Sequence, residues 1–399
     1  MSDAFRPASP AHGSAAVDVL IVGGGPAGLF AAAQLARTGF HVVVCEEHGT
    51  VGEPVHCTGV LAAESFDEFD LPRDATINWL RTANFVSPAG IRVSYTAAAP
   101  MAAVIDRLRF DRALADRASR LGAELRSGAR VSRIDVDATG VNAIAGDALV
   151  RARLVLLACG AQYALQRSFG LGLPKHYLHT AQRELPAASI CDLELHFGRQ
   201  IAPDGFAWAV PIVRPEGPYV RVGVMASNDA AGCYARMLDR VRDRWGVAAG
   251  DLPARQKILP LGSIERTFGD RLLVIGDAAG LVKPTTGGGI YYSIMSAAMA
   301  ADVAMNALDR DRLDAQSLSV YERRWRARIA SELRAQDALR RVAEQLKDAD
   351  IDELFELART DGILPLARKT ARFNQHRAFI RALFRHRPAR RILFRSLAR

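Results

Sequence analysis

Residues Asp18–Glu47, DVLIVGGGPAGLFAAAQLARTGFHVVVCEE, decide how the rest of the chain is read. Val19–Val22 is an apolar run of strand length, and Gly23, Gly25 and Gly28 follow it as G-x-G-x-x-G, with Pro26 and Ala27 inside the motif. Leu29–Ala36 consists of good helix formers and is stopped by Gly39, which suits a left-handed position after a helix. His41–Cys45 is a second short apolar strand, closed by Glu46 and Glu47. The stretch is one βαβ unit in which each glycine has a task. Gly23 permits the tight turn, Gly25 lets the backbone approach a pyrophosphate, and Gly28 lets helix and strand pack closely. The helix N-terminus offers free N–H groups and a partial positive charge to phosphates. An acid about 20 residues further on can hold an adenosine ribose. A bare glycine motif is as often an ordinary turn, but with its strand, helix and acid this one specifies a dinucleotide. NAD and FAD are undistinguished at this point.

The 399 residues are enough for two domains around a large core, and hydrophobic and charged shares of 49% and 24% are those of an ordinary globular protein. Met1–Ala16, rich in Ala, Pro, Ser and Gly, reads as a disordered tail and not as a secretory leader. Cys45, Cys57, Cys159, Cys191 and Cys233 are odd in number and scattered. They form neither a disulfide framework nor a metal-ligand spacing, so no metal is expected and a reducing cytoplasm is. The net charge of +9 is unevenly spread: Leu366–Arg399 holds eleven Lys or Arg and no acid, leaving −2 for the remainder. The tail is thus a separate electrostatic object on a nearly neutral body.

Further along, Gly52–Gly59 (GEPVHCTG) is a Gly/Pro-bounded loop at the carboxyl end of the second strand, near any bound dinucleotide. Asn78–Val104 reads as a hairpin broken at Pro88 and Gly90, a first visit to a second sheet. Asp106–Leu121 returns to helical spacing, Glu124–Val150 reads as a β-meander, and Leu154–Ala158 as a separate apolar strand. Strands are expected at Asp192–Phe197, Phe206–Val213 and Tyr219–Met225, and a helix at Asp229–Trp245. Arg271–Asp277 opens a strand–loop–helix unit reaching about Leu308. Its charge-free run between Lys283 and Asp302 opens with Pro-Thr-Thr-Gly-Gly-Gly and is rich in Ala and Ser, which favours a buried core helix over a membrane span. Leu318–Leu357 is charged and helical.

Three separated segments now match one pattern: the N-terminal βαβ unit, Asp106–Asp111 (DRLRFD), and LLVIGDAAGLVKPTTGGGI around Asp277. Over roughly Asp18–Ala335 the chain resembles FAD-dependent oxidoreductases built like aromatic hydroxylases, and among them the geranylgeranyl reductase family. The resemblance implies an α/β fold with a Rossmann-like FAD-binding domain, a β-rich substrate domain and a C-terminal helical segment. The implied FAD-binding parts are 17–77, 106–175 and 267–310, the substrate parts 78–105 and 176–266, after a tail over 1–16 and before helices and a basic tail over 311–399. It implies FAD held by Gly23, Gly25, Pro26, Ala27 and Gly28 at the pyrophosphate and by Glu46, with Glu47 next in line, at the ribose. Arg107 would contact the cofactor, Gly276 and Asp277 the ribityl chain, and the backbone of Gly287, Gly288, Gly289 and Ile290 the pyrimidine edge of the flavin. Cys57 and Gly59 resemble the cysteine loop that reductases place beside the flavin. Gly280 stands where hydroxylases of this fold usually carry His. Pro203–Pro211 (PDGFAWAVP) resembles the reductases' P-x-x-Y-x-W-x-F-P substrate motif, with Phe206 for Tyr and Val210 for Phe, and makes Phe206, Trp208 and Pro211 the substrate-binding candidates. Cys159 replaces the Asp of an Asp-Gly motif common in related hydroxylases, and no second dinucleotide fingerprint appears. The external electron donor, NAD(P)H or a ferredoxin, therefore stays open.

Reduction of an isolated double bond needs a hydride, a proton source across the alkene and a dry apolar cavity. Cys57 is the catalytic candidate, against the reading of an inert buried thiol, and His56 either tunes it or lies exposed. Phe206 and Trp208 share one strand face and line the expected cavity. Phe379, Ile380, Leu383 and Phe384 recur at helical spacing among arginines. Such a basic amphipathic stretch suits peripheral contact at the inner face of a membrane, equally a helix packed on the body, and nucleic acid is not expected. The function expected is FAD-dependent reduction of carbon–carbon double bonds in an isoprenoid or prenyl-lipid chain. A flavin monooxygenase or halogenase, the latter through the likeness of FAWAVP to W-x-W-x-I-P, is the alternative, with a non-catalytic electron-transfer flavoprotein at a membrane as the third.

Overall fold

The computed structural model describes residues 16–248, 253–360 and 362–395. The tail expected over residues 1–16 therefore lies, Ala16 apart, outside the described residues. The central strand is Val17–Val22, paired in parallel with Val42–Cys45 on one side and Ala148–Leu157 on the other. Glu124–Arg126 and Leu272–Val274 extend the sheet outward, again in parallel. Strands covered on both faces can be apolar throughout, which is why VLIV, VVVC and LVLL are continuous hydrophobic runs. Ala148–Leu157 is one ten-residue strand, where sequence reading saw a meander followed by a separate strand at Leu154. Its first half alternates because it carries the antiparallel strand Val141–Ala145 with one face in solvent, and its second half runs buried between parallel neighbours. Helices Pro26–Ala36, Arg107–Arg120 and Ile290–Asp309 pack here, the third buried along most of its length. Among the described residues no helix is long and apolar enough to cross a membrane.

A seven-stranded sheet holds Arg255–Leu261, His176–Pro186, Gly217–Ala226, Phe206–Arg214, Leu193–His196, Thr82–Val86 and Arg92–Thr96, in that spatial order. His176–Pro186 and Arg255–Leu261 were not individually expected, because their polar residues do not alternate cleanly with apolar ones. Helix Ala230–Trp245 covers the outer face through Cys233, Tyr234, Met237, Val241 and Trp245. The inner face, with Leu178, Trp208, Val210, Ile212 and Met225, meets Leu80, Val104 and Val282. Leu80 and Val104 come from a small third sheet of Val60–Ala62, Ala102–Ile105 and Thr76–Leu80, a layer that the hairpin reading of 78–104 did not contain.

Helix Ala315–Ala343 inserts Leu318, Tyr321, Trp325 and Ile329 into the same core as the parallel sheet. The Trp325 indole donates to Thr267 Oγ1 at 3.0 Å and Tyr321 donates to the Val274 carbonyl at 2.9 Å. Position 310, expected as a boundary, is thus no break in packing. Helices Asp348–Thr360, Ile363–Thr370, Arg377–Arg385 and Arg387–Arg395 follow. Ile380, Ala389, Ile392 and Leu393 are buried, Leu393 in a cluster with Val342 and Leu346, and the Phe384 and Phe394 rings meet edge to face at 5.3 Å. Of the apolar stripe of the basic tail, Ile380 is thus buried and Phe379, Leu383 and Phe384 are half-buried, Leu383 and Phe384 against that cluster. Leu393→Ala should lower the unfolding free energy by about 2–5 kcal/mol, as cavity formation in a packed core does, and speed amide exchange across Arg377–Arg395. Chemical denaturation and hydrogen exchange measure both, and unchanged values would mean a loosely attached tail.

Candidate active site

Because the strands are parallel, the loops after Val22, Cys45 and Val274 share the carboxyl edge of the sheet, where ligands of such folds bind. Gly23 turns away with φ +111°, and Gly28 packs so closely that a Cβ would stand 2.0 Å from the Gly23 carbonyl oxygen. Helix Pro26–Ala36 begins at Gly25 with no side chain capping its first amides, and a Cβ on Gly25 would meet nothing within 4 Å. Glu46 Oε2 accepts the Gly24 N–H at 2.7 Å, and Oε1 accepts the His48 N–H at 3.0 Å. An ionised carboxylate has about four acceptor positions, so a ribose hydroxyl can still be received. Glu47 points elsewhere, towards Gln162 and Arg130.

The cysteine loop is gripped from two sides. Gly59 donates to Cys57 Sγ at 3.3 Å and sits with φ +72°, where a Cβ would strike the Ile105 carbonyl oxygen at 2.7 Å. Arg107, expected at the cofactor, forms a two-pronged pair with Asp111 at 3.2 and 2.8 Å and stands close enough to Cys57 for the two to interact electrostatically. Burial opposes its charge, but Asp111 and Cys57 hold the guanidinium above its ordinary pKa. From the large sheet, buried Arg221 donates to the Thr58 carbonyl and, at 2.6 Å, to Glu184. Arg214 joins Glu184 at 2.5 Å to Asp106 at 3.0 Å. Burial works against the Glu184 charge, yet Arg214 and Arg221 keep its carboxyl below the usual range. None of Arg221, Glu184 and Arg214 was singled out from sequence, because each is an ordinary charge on an alternating strand. His56 is half-buried rather than exposed, its Nδ1 has no partner, and burial followed by the charges of Lys257 and Arg255 pulls its pKa down to about 4. It is neutral at neutral pH and no general acid. Cys159 is pushed up to about 11 by burial and bonds the Gln162 carbonyl, an inert thiol.

Beyond Leu272–Val274, the short turn Gly276–Ala279 presents Asp277. Ser293 donates to Asp277 Oδ1 at 3.3 Å, and a Cβ on Gly289 would meet the same oxygen at 2.7 Å. Burial raises the Asp277 pKa, with Lys257, Ser293 and Arg107 pulling against it. Gly287 packs under Leu259 of the large sheet, and Gly288 against Lys283. Helix Ile290–Asp309 starts at Gly289, again without a side-chain cap. Lys283 is 2% exposed, a buried charge that sequence reading noted only as the edge of an uncharged run.

Phe206 and Trp208 lie in the inner apolar layer, their rings 5.8 Å apart, and the Trp208 indole lies over Gly223. Its Nε1 is buried without a partner. Phe197 stands 5.9 Å from Phe206 and 5.9 Å from Phe355, continuing an aromatic row whose distant member, Phe355, sequence could not add. Pro211 shares strand parity with Ala207 and Ala209, which face helix Ala230–Trp245. It is therefore on the opposite face from Phe206 and Trp208 and does not line their layer.

Two uncapped helix starts, an open glycine turn, an acid beside it and the unpartnered His56 Nδ1 suit a long, doubly anionic cofactor such as FAD. A family model described as FAD binding domain matches residues 16–162, and one described as lycopene cyclase protein matches 219–383. The chain is 29% identical over 362 residues to the digeranylgeranylglycerophospholipid reductase of Methanocaldococcus jannaschii, covering 85% of this chain and 90% of the relative. It is 31% identical over 377 residues to digeranylgeranylglycerophospholipid reductase 1 of Methanopyrus kandleri, covering 87% and 98%. Its fold superposes with a TM-score of 0.83, at 22% identity and covering 96% and 98%, on a geranylgeranyl bacteriochlorophyll reductase-like protein of Thermoplasma acidophilum. The chain belongs to the geranylgeranyl reductase family of FAD-dependent oxidoreductases.

Proposed function

We propose that this enzyme reduces carbon–carbon double bonds in the geranylgeranyl-type chain of a prenyl lipid, drawing electrons from NAD(P)H or a ferredoxin. One observation carries the reading: the apolar layer with Phe206 and Trp208 contains Val282 and Leu259, the latter lying on Gly287 of the turn assigned to the flavin. An alkene chain on that layer would reach the cofactor without crossing polar surface. In this reading Gly23–Gly28 and the start of helix Pro26–Ala36 hold the pyrophosphate, Glu46 the ribose, Asp277 the ribityl chain, and the Gly287–Ile290 amides the pyrimidine edge.

Bound FAD, once reduced, supplies the hydride. The chain supplies the rest: the apolar layer orients the alkene and excludes water, which matters because an isolated alkene has no carbonyl to polarise. Cys57 gives its thiol proton to the second alkene carbon. Arg107, fixed by Asp111, compensates the thiolate left behind until solvent reprotonates it. The Arg221–Glu184–Arg214–Asp106 chain positions this loop from the substrate side.

The tail supplies a surface for the lipid's own environment. Arg381, Arg385, Arg390 and Arg391 are exposed and, among the described residues, paired with no carboxylate, while the apolar side of their helices is packed inward. Contact with an anionic bilayer would then be electrostatic and peripheral.

Three outcomes are expected. Glu46→Ala should weaken FAD binding by roughly 10–100-fold, the loss of a charged hydrogen bond being about 1.5–3 kcal/mol. Titration of apoprotein followed by flavin fluorescence measures this, and unchanged affinity would remove Glu46 from the site. Under argon, reduced enzyme should convert prenyl-lipid substrates to products heavier by about two mass units per reduced bond. Cys57→Ser should slow this far more than it alters FAD content, and Trp208→Ala should chiefly raise KM. Products that gain oxygen or halogen, formed only in air, would replace the proposal with the monooxygenase or halogenase alternative. Replacing Arg381, Arg385, Arg390 and Arg391 by Glu should abolish sedimentation with anionic vesicles while leaving FAD bound, each basic residue near such a surface contributing about 1 kcal/mol. Unchanged sedimentation would locate membrane contact elsewhere or nowhere.

A further inference from the structure

Lys283 has no part in the chemistry above, yet it is among the most deeply buried charges in the protein. Its Nζ donates to the Phe373 carbonyl at 3.0 Å and to Asn374 Oδ1 at 2.7 Å, and lies 4.9 Å from the Phe373 ring centre. The same amine lies 3.7 Å from where a Cβ on Gly288 would stand, directly behind the turn that opens helix Ile290–Asp309. Lys283 closes that turn, its carbonyl accepting from the Gly287 N–H at 2.9 Å and its own N–H donating to the Gly288 carbonyl at 3.3 Å.

The charges facing it come from every element around. Glu64 accepts from Asn374 at 3.1 Å, and Glu332 accepts from the His376 and Arg377 amides at 2.5 and 3.0 Å. Tyr292 stands 5.8 Å away by its ring, His376 bonds Thr285 at 2.7 Å, and Arg340 reaches the Pro284 carbonyl at 3.4 Å. No carboxylate touches the ammonium itself among the described residues. Burial therefore outweighs the attraction of Glu64 and Glu332 and pulls the Lys283 pKa down to about 7. His376 is held below its ordinary value by burial and by Lys283, so it is neutral where Lys283 titrates.

We propose that Lys283 is a positioning residue that biases the site toward the reduced, negatively charged form of its flavin, acting from behind the Gly288 backbone and anchored by the Phe373–Asn374 segment of the C-terminal region. The proposal rests on the assignment of FAD to this turn. With the flavin held by the Gly287–Ile290 amides, a negative charge developing on it would be met in low dielectric by the ammonium beside Gly288, where the interaction would be strong. If Lys283 is neutral beforehand, the new negative charge raises its pKa and it takes a proton from solvent. Reduction at about pH 7–8 then takes up two protons per two electrons: one with the flavin, one on Lys283.

The test is anaerobic spectroelectrochemistry of the FAD-loaded wild type, K283M, K283R and N374A from about pH 5 to 9, with FAD affinity measured alongside. Wild type should show the two-proton dependence just above pH 7, and K283M a one-proton dependence throughout. At pH 7, K283M should bind reduced relative to oxidised FAD about tenfold less well than wild type, equivalent to roughly 30 mV for a two-electron couple. K283R, charged at every pH, should keep the higher potential and lose the extra proton. N374A removes an acceptor of the ammonium and should move the wild-type inflection to lower pH. K283M with wild-type potential and pH dependence overturns the proposal. Should K283M not accumulate as folded holoprotein, an unmoved inflection in N374A overturns it instead. A wild type that binds no FAD removes the cofactor assignment before any variant is compared, and this proposal with it.

Discussion

The two long helices that start at the carboxyl edge of the parallel sheet, Pro26–Ala36 and Ile290–Asp309, begin without a side-chain cap on their first amides. Unpaired N–H groups with the helix dipole behind them call for an anionic partner. The rest of the FAD-binding half keeps these two starts close. Ala27, Ala31 and Ala32 of one helix and Ala297, Ala300 and Ala301 of the other are buried small residues, so the two helices can pack closely. Gly28 removes the Cβ that would separate helix from strand.

The joint between the two halves is electrostatic. Buried charges are tolerated when paired and hydrogen-bonded, and the Cys57 loop is where such pairs converge. Arg107, paired with Asp111, stands beside it, and Arg221, paired with Glu184 and so linked to Arg214, donates to it from the large sheet. Around this polar seam the contacts are apolar, Leu259 and Met225 against Gly287 and Val282 against the inner face of the sheet. A dry layer beside a fixed, charged loop is an arrangement in which a weak acid and an alkene can be held without bulk water. The C-terminal helices complete it from behind, since Phe373 and Asn374 bind Lys283 under the glycine turn.

The local features were legible wherever function depends on backbone and short range. The glycine turn, the acid after the second strand and the glycine run before Ile290 are contiguous motifs, and their physical reasons lie within a few residues. The buried helix Ile290–Asp309 was legible from an uncharged stretch rich in Ala and Ser. The pairing of Arg107 with Asp111 was not read from sequence, because sequence cannot tell which of several nearby acceptors a long side chain will reach. Pro211 was misplaced for a simpler reason: a motif was carried over as a unit, whereas a strand sends successive side chains to opposite faces.

By itself, then, the sequence determined a βαβ dinucleotide unit, a second β-rich half and a flavin-type glycine loop, because turns, caps and periodicity are properties of neighbouring residues. Tertiary structure alone decided the assembly of groups far apart in the chain. It packed Ile380, Ile392 and Leu393 of the basic tail inward and left Arg381, Arg385, Arg390 and Arg391 exposed. It joined Phe197, Phe206 and Phe355 into one row, and set Lys283 among Glu64, Glu332 and Asn374. Burial and pairing of a charge depend on what folds over it, and here those covering residues lie up to ninety positions and more away along the chain.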